Sequence, residues 1–120
     1  MRPRGVHHVA INVSDVDAAV GFYVGVLGFR LRQDRPDFGF GGAWLDVGNQ
    51  QLHLLEAPVP EGWGQHFAVQ VDELDEVVAE LRRRGVTVSD PVPVGASRQA
   101  FLDDPSGNAI ELHEVGPAAS

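Results

Sequence analysis

His8, His53, His66 and Glu111 carry the donor types a divalent cation takes, imidazole nitrogen and carboxylate oxygen, and they recur at one interval. His8 and His66 are 58 residues apart (66 − 8), and so are His53 and Glu111 (111 − 53). Such a donor set suits Zn, Ni, Fe, Co or Mn, whereas calcium takes more oxygen. Other chemistry is pruned by composition. The chain has no cysteine, which removes thiolate nucleophiles and Cys-ligated metal. Its nine basic residues are all arginine, which removes Schiff-base lysines. A formal net charge of −8 opposes nucleic acid and anionic membranes. The one basic cluster, Arg82-Arg83-Arg84, fits a helix C-terminus.

The interval belongs to the elements that carry these residues. His8-Val9-Ala10-Ile11-Asn12-Val13 returns as His66-Phe67-Ala68-Val69-Gln70-Val71, and each copy runs into an acidic helix start, Asp15-Val16-Asp17 or Glu73-Leu74-Asp75. Helices are predicted over 18–27 and 76–84. Ala19, Phe22, Tyr23 and Val26 form the buried stripe of the first and Val77, Val78 and Leu81 that of the second. Gly28 and Gly85 close them. Short strands are predicted at 29–33, 43–47 and 51–56, then at 86–88, 99–103 and 109–114, with turns at Gly48-Asn49 and Asp104-Pro105-Ser106-Gly107-Asn108.

Each half therefore reads β-α-β-β-β. The expected fold is α+β, with two βαβββ modules in tandem forming a cupped mixed sheet around a metal site. The 120 residues make a single domain, with modules at 5–57 and 63–115 joined by the Pro- and Gly-rich segment 57–64. Strand alternation puts Val9, Ile11 and Val13 against the first helix and His8, Ala10 and Asn12 on the other face; Phe67, Val69 and Val71 oppose His66, Ala68 and Gln70 in the same way. Leu52 and Leu54 likewise oppose His53, and Ile110 and Leu112 oppose Glu111. A pseudo-two-fold between the modules would bring all four donors to one point. Burying three imidazoles and an unpaired carboxylate there would be costly without a cation.

Several runs resemble the vicinal oxygen chelate superfamily, the group of glyoxalase I, fosfomycin-resistance proteins, bleomycin-binding proteins, methylmalonyl-CoA epimerase and extradiol dioxygenases. They are 7–15, Gly21-Phe22-Tyr23 followed by Leu27-Gly28-Phe29, and Asp104-Pro105-Ser106-Gly107-Asn108 leading to Ile110-Glu111-Leu112. The resemblance implies paired βαβββ modules that each give a ligand from the first and last strand: His8, His53, His66 and Glu111. It also implies a divalent metal that chelates neighbouring oxygens of a substrate, with Glu111 as candidate catalytic proton carrier.

The expected function is a metal-dependent lyase, isomerase or thiol transferase of the glyoxalase/fosfomycin-resistance type, acting on a small oxygenated molecule. The alternatives are an Fe(II) extradiol-type dioxygenase and a non-catalytic antibiotic-binding protein. His53 departs from glyoxalase I, which usually has a carboxylate or amide there; His8, His66 and Glu111 match the two-His, one-Glu set of fosfomycin-resistance enzymes. Small members often dimerise, so a homodimer is expected. Trp44, Phe101 and Trp63 are candidate apolar walls, Gln70 and Asn12 neutral contacts, and Arg98 a cation for an acidic substrate. His113 shares the face of Glu111 and is a candidate support behind it. The start Met1-Arg2-Pro3-Arg4-Gly5 lacks the apolar stretch of a signal peptide, so the chain is read as cytoplasmic.

Overall fold

A computed structural model describes residues 1–61 and 64–116. The chain divides into two compact units, Met1–Glu61 and Gly62–Ser120. Unit 1 runs β1 (His8–Val13), α1 (Val16–Gly25), β2 (Arg30–Leu31), β3 (Gly42–Val47) and β4 (Gln50–Glu56). Unit 2 repeats the order with β5 (His66–Gln70), α2 (Leu74–Arg83), β6 (Val92–Val94), β7 (Ser97–Asp103) and β8 (Ala109–Glu114). Each builds a four-stranded mixed sheet, β1-β4-β3-β2 in one and β5-β8-β7-β6 in the other. This is the α+β arrangement of tandem βαβββ modules that the repeat predicts. Among the described residues no helix is long and apolar enough to cross a membrane.

The repeat is realised in strand register. In the parallel pair β1–β4 Ala10 lies opposite His53, and in β5–β8 Ala68 lies opposite Glu111. The alternate faces carry the cores: Val13, Leu45, Leu52 and Leu54 in unit 1, and Ala100, Leu102, Ile110 and Leu112 in unit 2, all 4% exposed or less. Helix α1 closes its core with Ala19 and Tyr23, the Tyr23 ring 5.5 Å from Phe29, and α2 with Leu74, Val78 and Leu81. Fully burying each leucine contributes roughly 1.5–3 kcal/mol.

Both helices begin two residues earlier than the periodicity suggests, and their caps differ. Asp15 Oδ1 accepts the Ala18 amide at 3.0 Å, an ordinary N-cap. At α2 the residue before the helix, Glu73, sits in the left-handed region (φ 55) with no side-chain cap bond. Glu114 of β8 takes over, accepting the Leu74 amide at 2.8 Å. Past α1, Leu27 N–H reaches Phe22 O at 3.1 Å, and Gly28 at φ 79 turns the chain so that Phe29 N–H reaches Tyr23 O at 2.9 Å.

Two strand expectations are corrected. Residues 86–88 are not a strand; the edge strand forms at Val92–Val94, paired to β7. The earlier segment is tied by other groups: Arg82 Nη2 donates to Val88 O, and Ser89 Oγ accepts the Phe101 amide, each at 2.8 Å. The first edge strand is only Arg30–Leu31, extended by one bond from Arg32 N–H to Trp44 O.

Candidate functional site

Unit 1 brings His8 and His53 together. Because the residue opposite His53 is the small Ala10, the His8 ring has room to lie over its neighbour: the rings stack 4.0 Å apart at 11°. On the other side Trp44 of β3 lies directly opposite His53 and stacks on it at 4.3 Å and 12°. His53 is 8% exposed. Burial pushes its imidazole below the ordinary 6.5, and the neighbouring His8 adds to that shift, so the ring stays neutral at pH 7 with a nitrogen lone pair to give. Gln51 Oε1 lies 2.8 Å from His53 Nε2 and accepts its proton.

Unit 2 brings His66 and Glu111 together by the same device, the small Ala68 opposite Glu111. The Gly64 carbonyl can only accept, so His66 Nδ1 donates to it at 2.8 Å. In the neutral ring Nε2 then carries a lone pair, and it faces Glu111 Oε1 at 3.0 Å. Two acceptors at that distance need a proton or a cation between them. Donors bound about 2.0–2.2 Å from one ion at right angles stand roughly 3 Å apart. The pair therefore fits a metal, and the Gly64 bond fixes the tautomer such a ligand needs. His113 Nδ1 donates to Glu111 Oε2 at 2.8 Å, orienting the carboxylate from behind. Glu111 is 9% exposed. Among the described residues of either unit, no three His, Asp or Glu side chains are gathered as a metal cluster; each unit offers a pair.

The hairpins that deliver these residues differ by one position. Trp44 pairs with His53 across 9 residues (53 − 44), Phe101 with Glu111 across 10 (111 − 101). The extra residue is absorbed by the Asp104 turn. Asp104 Oδ1 accepts the amides of Ser106 and Asn108 at 2.8 Å each, and Gly107 takes φ 87. Phe101 consequently lies opposite Glu111 and meets His66 edge-on at 5.4 Å.

The other sequence candidates fall differently. Arg98 is corrected: it shares the parity of buried Ala100 and Leu102, so it points to the helix side, where it forms two bonds to Asp75 at 2.8 and 2.9 Å. It is not on the face of Glu111. Gln70 is exposed and pairs in register with His113 on that face. Asn12 Nδ2 donates to Pro58 O at 2.9 Å, tying the end of β1 to the chain beyond β4. Trp63 lies outside the described residues.

The loop between β2 and β3 is a feature that periodicity does not reveal. Arg32 anchors its base, bonded to Asp34 and Asp46 at 2.7–2.9 Å. Above it Arg35 lies over the rings of Phe38 and Phe40, at 5.1 and 5.5 Å. Phe38 meets Trp44 at 6.1 Å, tilted by 47°. A cavity of about 210 Å³ lies under this loop, within unit 1, bounded by Arg35, Phe38, Phe40, Trp44 and His53. The signal for it was the unassigned run Arg35-Pro36-Asp37-Phe38-Gly39-Phe40 followed by Gly41-Gly42.

The sequence model of the Glyoxalase/Bleomycin resistance protein/Dioxygenase superfamily matches residues 5–112. The chain belongs to this superfamily. Among relatives in the superfamily, a lactoylglutathione lyase of Arabidopsis thaliana is 30% identical over 92% of the chain, which spans only 44% of that protein's length. The lactoylglutathione lyase of Salmonella typhimurium is 28% identical, with 92% of the chain and 93% of the enzyme covered. Among solved structures, TnmS3, an antibiotic binding protein from Streptomyces, is 31% identical with a TM-score of 0.82, covering 95% of this chain and 98% of its own. The superfamily's similar members thus include both enzymes and a ligand binder.

Proposed function

We propose that the chain is a metal-dependent enzyme of the glyoxalase/fosfomycin-resistance type, a lyase, isomerase or thiol transferase acting on a small oxygenated molecule. In this reading residues 5–57 and 63–115 are the two modules of one domain, and His8, His53, His66 and Glu111 hold one divalent ion. The observation that carries it is the register identity: Ala10 faces His53 as Ala68 faces Glu111, so ligand-type side chains stand at equivalent points of both sheets. The match to a full-length lactoylglutathione lyase supports it.

When bound, the ion would act as a Lewis acid on a substrate oxygen. The chain's own contribution is proton handling at Glu111. Its Oε2 is held by His113 Nδ1–H, leaving Oε1, beside His66 Nε2, as the atom that would hold the ion and, when released from it, take or return a proton. His53, kept neutral by burial, adds a donor without adding charge. Metal analysis after loading with each of Zn, Ni, Fe, Co and Mn tests the proposal. One ion per chain is expected, lost with His8→Ala and Glu111→Ala; unchanged metal content in both variants would sink it. A homodimer is part of the reading, and light scattering at the mass of one chain would remove that part.

The ring-lined cavity and the likeness to TnmS3 favour a second reading, a protein that sequesters its ligand without turnover. Tight binding that survives metal removal, with no product formed, selects it over the enzyme. An Fe(II) extradiol-type dioxygenase is the remaining alternative, and oxygen uptake with catechols under Fe(II) loading would select it.

A further inference from the structure

We propose that unit 1 contains a binding site for a flat aromatic carboxylate, whose ring packs against Phe38, Phe40 and Trp44 and whose carboxylate is met by Arg35. The proposal rests on the ligand-binding reading of this cavity, whose wall includes His8 and His53, and its test is made without metal so that failure of the metal reading is separable from it.

Arg35 is the first reason. Arg32, Arg82, Arg83 and Arg98 are each ion-paired to a carboxylate. Arg35 has no carboxylate within ion-pair distance among the described residues; its Nη2 donates to Phe40 O at 3.0 Å. Most of its five N–H donors remain for a ligand. A guanidinium laid over two rings is held in place by its π faces, so little freedom is lost when an anion arrives. No Asp or Glu borders the cavity to compete for it.

The rings are the second reason. Phe38 and Phe40 are each 49% exposed, although they stack on one another 5.7 Å apart at 21°. Half of each ring remains for a ligand to cover. Trp44 lies flat on His53 and His53 on His8, with Phe38 tilted by 47° to Trp44, so rings line one wall, a surface that a planar ring matches better than a branched aliphatic group. The cavity's about 210 Å³ is below the roughly 300–1,000 Å³ of drug-sized sites, which limits the occupant to a small ring system.

The backbone is built to keep Arg35 there. A Cβ at Gly42 would run into Leu54 O and stand 2.8 Å from Arg35 Nη2, and one at Gly41 would run into the Glu56 carboxylate. Glycine at both positions lets the loop and the guanidinium lie close against β4. Asp37 Oδ1 accepts the Gly39 amide at 2.8 Å, fixing the turn that presents both rings.

Calorimetric titration of the metal-free full chain with 2-naphthoate, 2-naphthamide and cyclohexanecarboxylate tests this. The expected result is one saturable 2-naphthoate site, at least about tenfold tighter than either comparison compound. Arg35→Gln should abolish the preference for naphthoate over naphthamide and leave naphthamide within about twofold; Arg35→Lys should keep part of the preference. Phe38→Leu should weaken both aromatic probes. Circular dichroism establishes that each variant is folded, and of the two Arg35 variants only the lysine keeps the positive charge. Absence of a saturable naphthoate site, equal binding of acid and amide, or equal losses in the Gln and Lys variants would overturn the proposal.

Discussion

The two units share a backbone plan and diverge in how they hold their key side chains. In unit 1 His53 is gripped by ring faces, His8 on one side and Trp44 on the other. In unit 2 the equivalent Glu111 is gripped by hydrogen bonds, from His113 on one oxygen and beside His66 on the other. The slot is the same, opposite an alanine on the parallel neighbour strand. Register thus sets where a donor stands, and the neighbours on the face set whether it is a dry neutral base or an oriented anion. Unit 1 thus presents a stacked pair and unit 2 a hydrogen-bonded pair that includes a carboxylate.

The sharpest way to break this comparison is to move the charge. His53→Glu in the metal-free protein would place a carboxylate between two ring faces, with Leu55 where unit 2 has His113, and should cost about 3 kcal/mol in urea unfolding. A cost below about 0.5 kcal/mol would mean the two slots are interchangeable. Next in size, Asp104→Ala removes the acceptor of two turn amides and should cost about 2 kcal/mol. The corresponding turn of unit 1 relies instead on Gly48 at φ 60, where Gly48→Ala should cost about 1 kcal/mol.

The caps extend the contrast at smaller scale. Asp15→Ala should lower stability by about 1 kcal/mol, because its carboxylate accepts the Ala18 amide. Glu73→Gly should do the reverse, raising stability by about 0.5 kcal/mol, since Glu73 occupies a left-handed conformation and makes no side-chain cap bond. Thermal unfolding of both variants would show opposite signs if the two helix starts are built as described.

In unit 1, His53 makes stability depend on pH. His53 has a folded-state pKa below its ordinary 6.5, so the unfolded chain binds its proton more readily. Stability from keeping His53 neutral is therefore present above about pH 6.5 and declines as pH falls below it, toward the depressed folded value, by at most about 1.4 kcal/mol per pH unit. Urea unfolding of metal-free protein between pH 7 and 5 should show this decline, and His53→Gln should flatten it.

Much of this architecture was legible in the sequence because strand alternation and the 58-residue repeat are both local signals. Alternation puts His8 and His53 on one face of unit 1, and Ala10 and Ala68 share the interval with the donors they make room for. What escaped depends on chain approach. The Arg35 loop acquires its cavity only because Gly41 and Gly42 admit it against β4, which no periodicity encodes. Arg98 was not legible: Ala100, Phe101 and Leu102 of β7 are all apolar, and only the burial of Ala100 and Leu102 assigns Arg98 to the helix side. The strand at 86–88 failed because a valine-rich run can be tied down by Arg82 and Ser89 instead of a ladder. Glu114 as the α2 cap was hidden by its 40-residue separation from Leu74.

The central claim is that His53 and Glu111 occupy equivalent slots and serve one metal ion. It is tested most directly by metal stoichiometry on wild type, His53→Ala and Glu111→Ala, each shown to be folded. The account predicts one divalent ion per chain in the wild type and at least about 100-fold weaker binding in both variants. Metal affinity unchanged in both variants, or no stoichiometric ion in the wild type under any of the five metals, would contradict it.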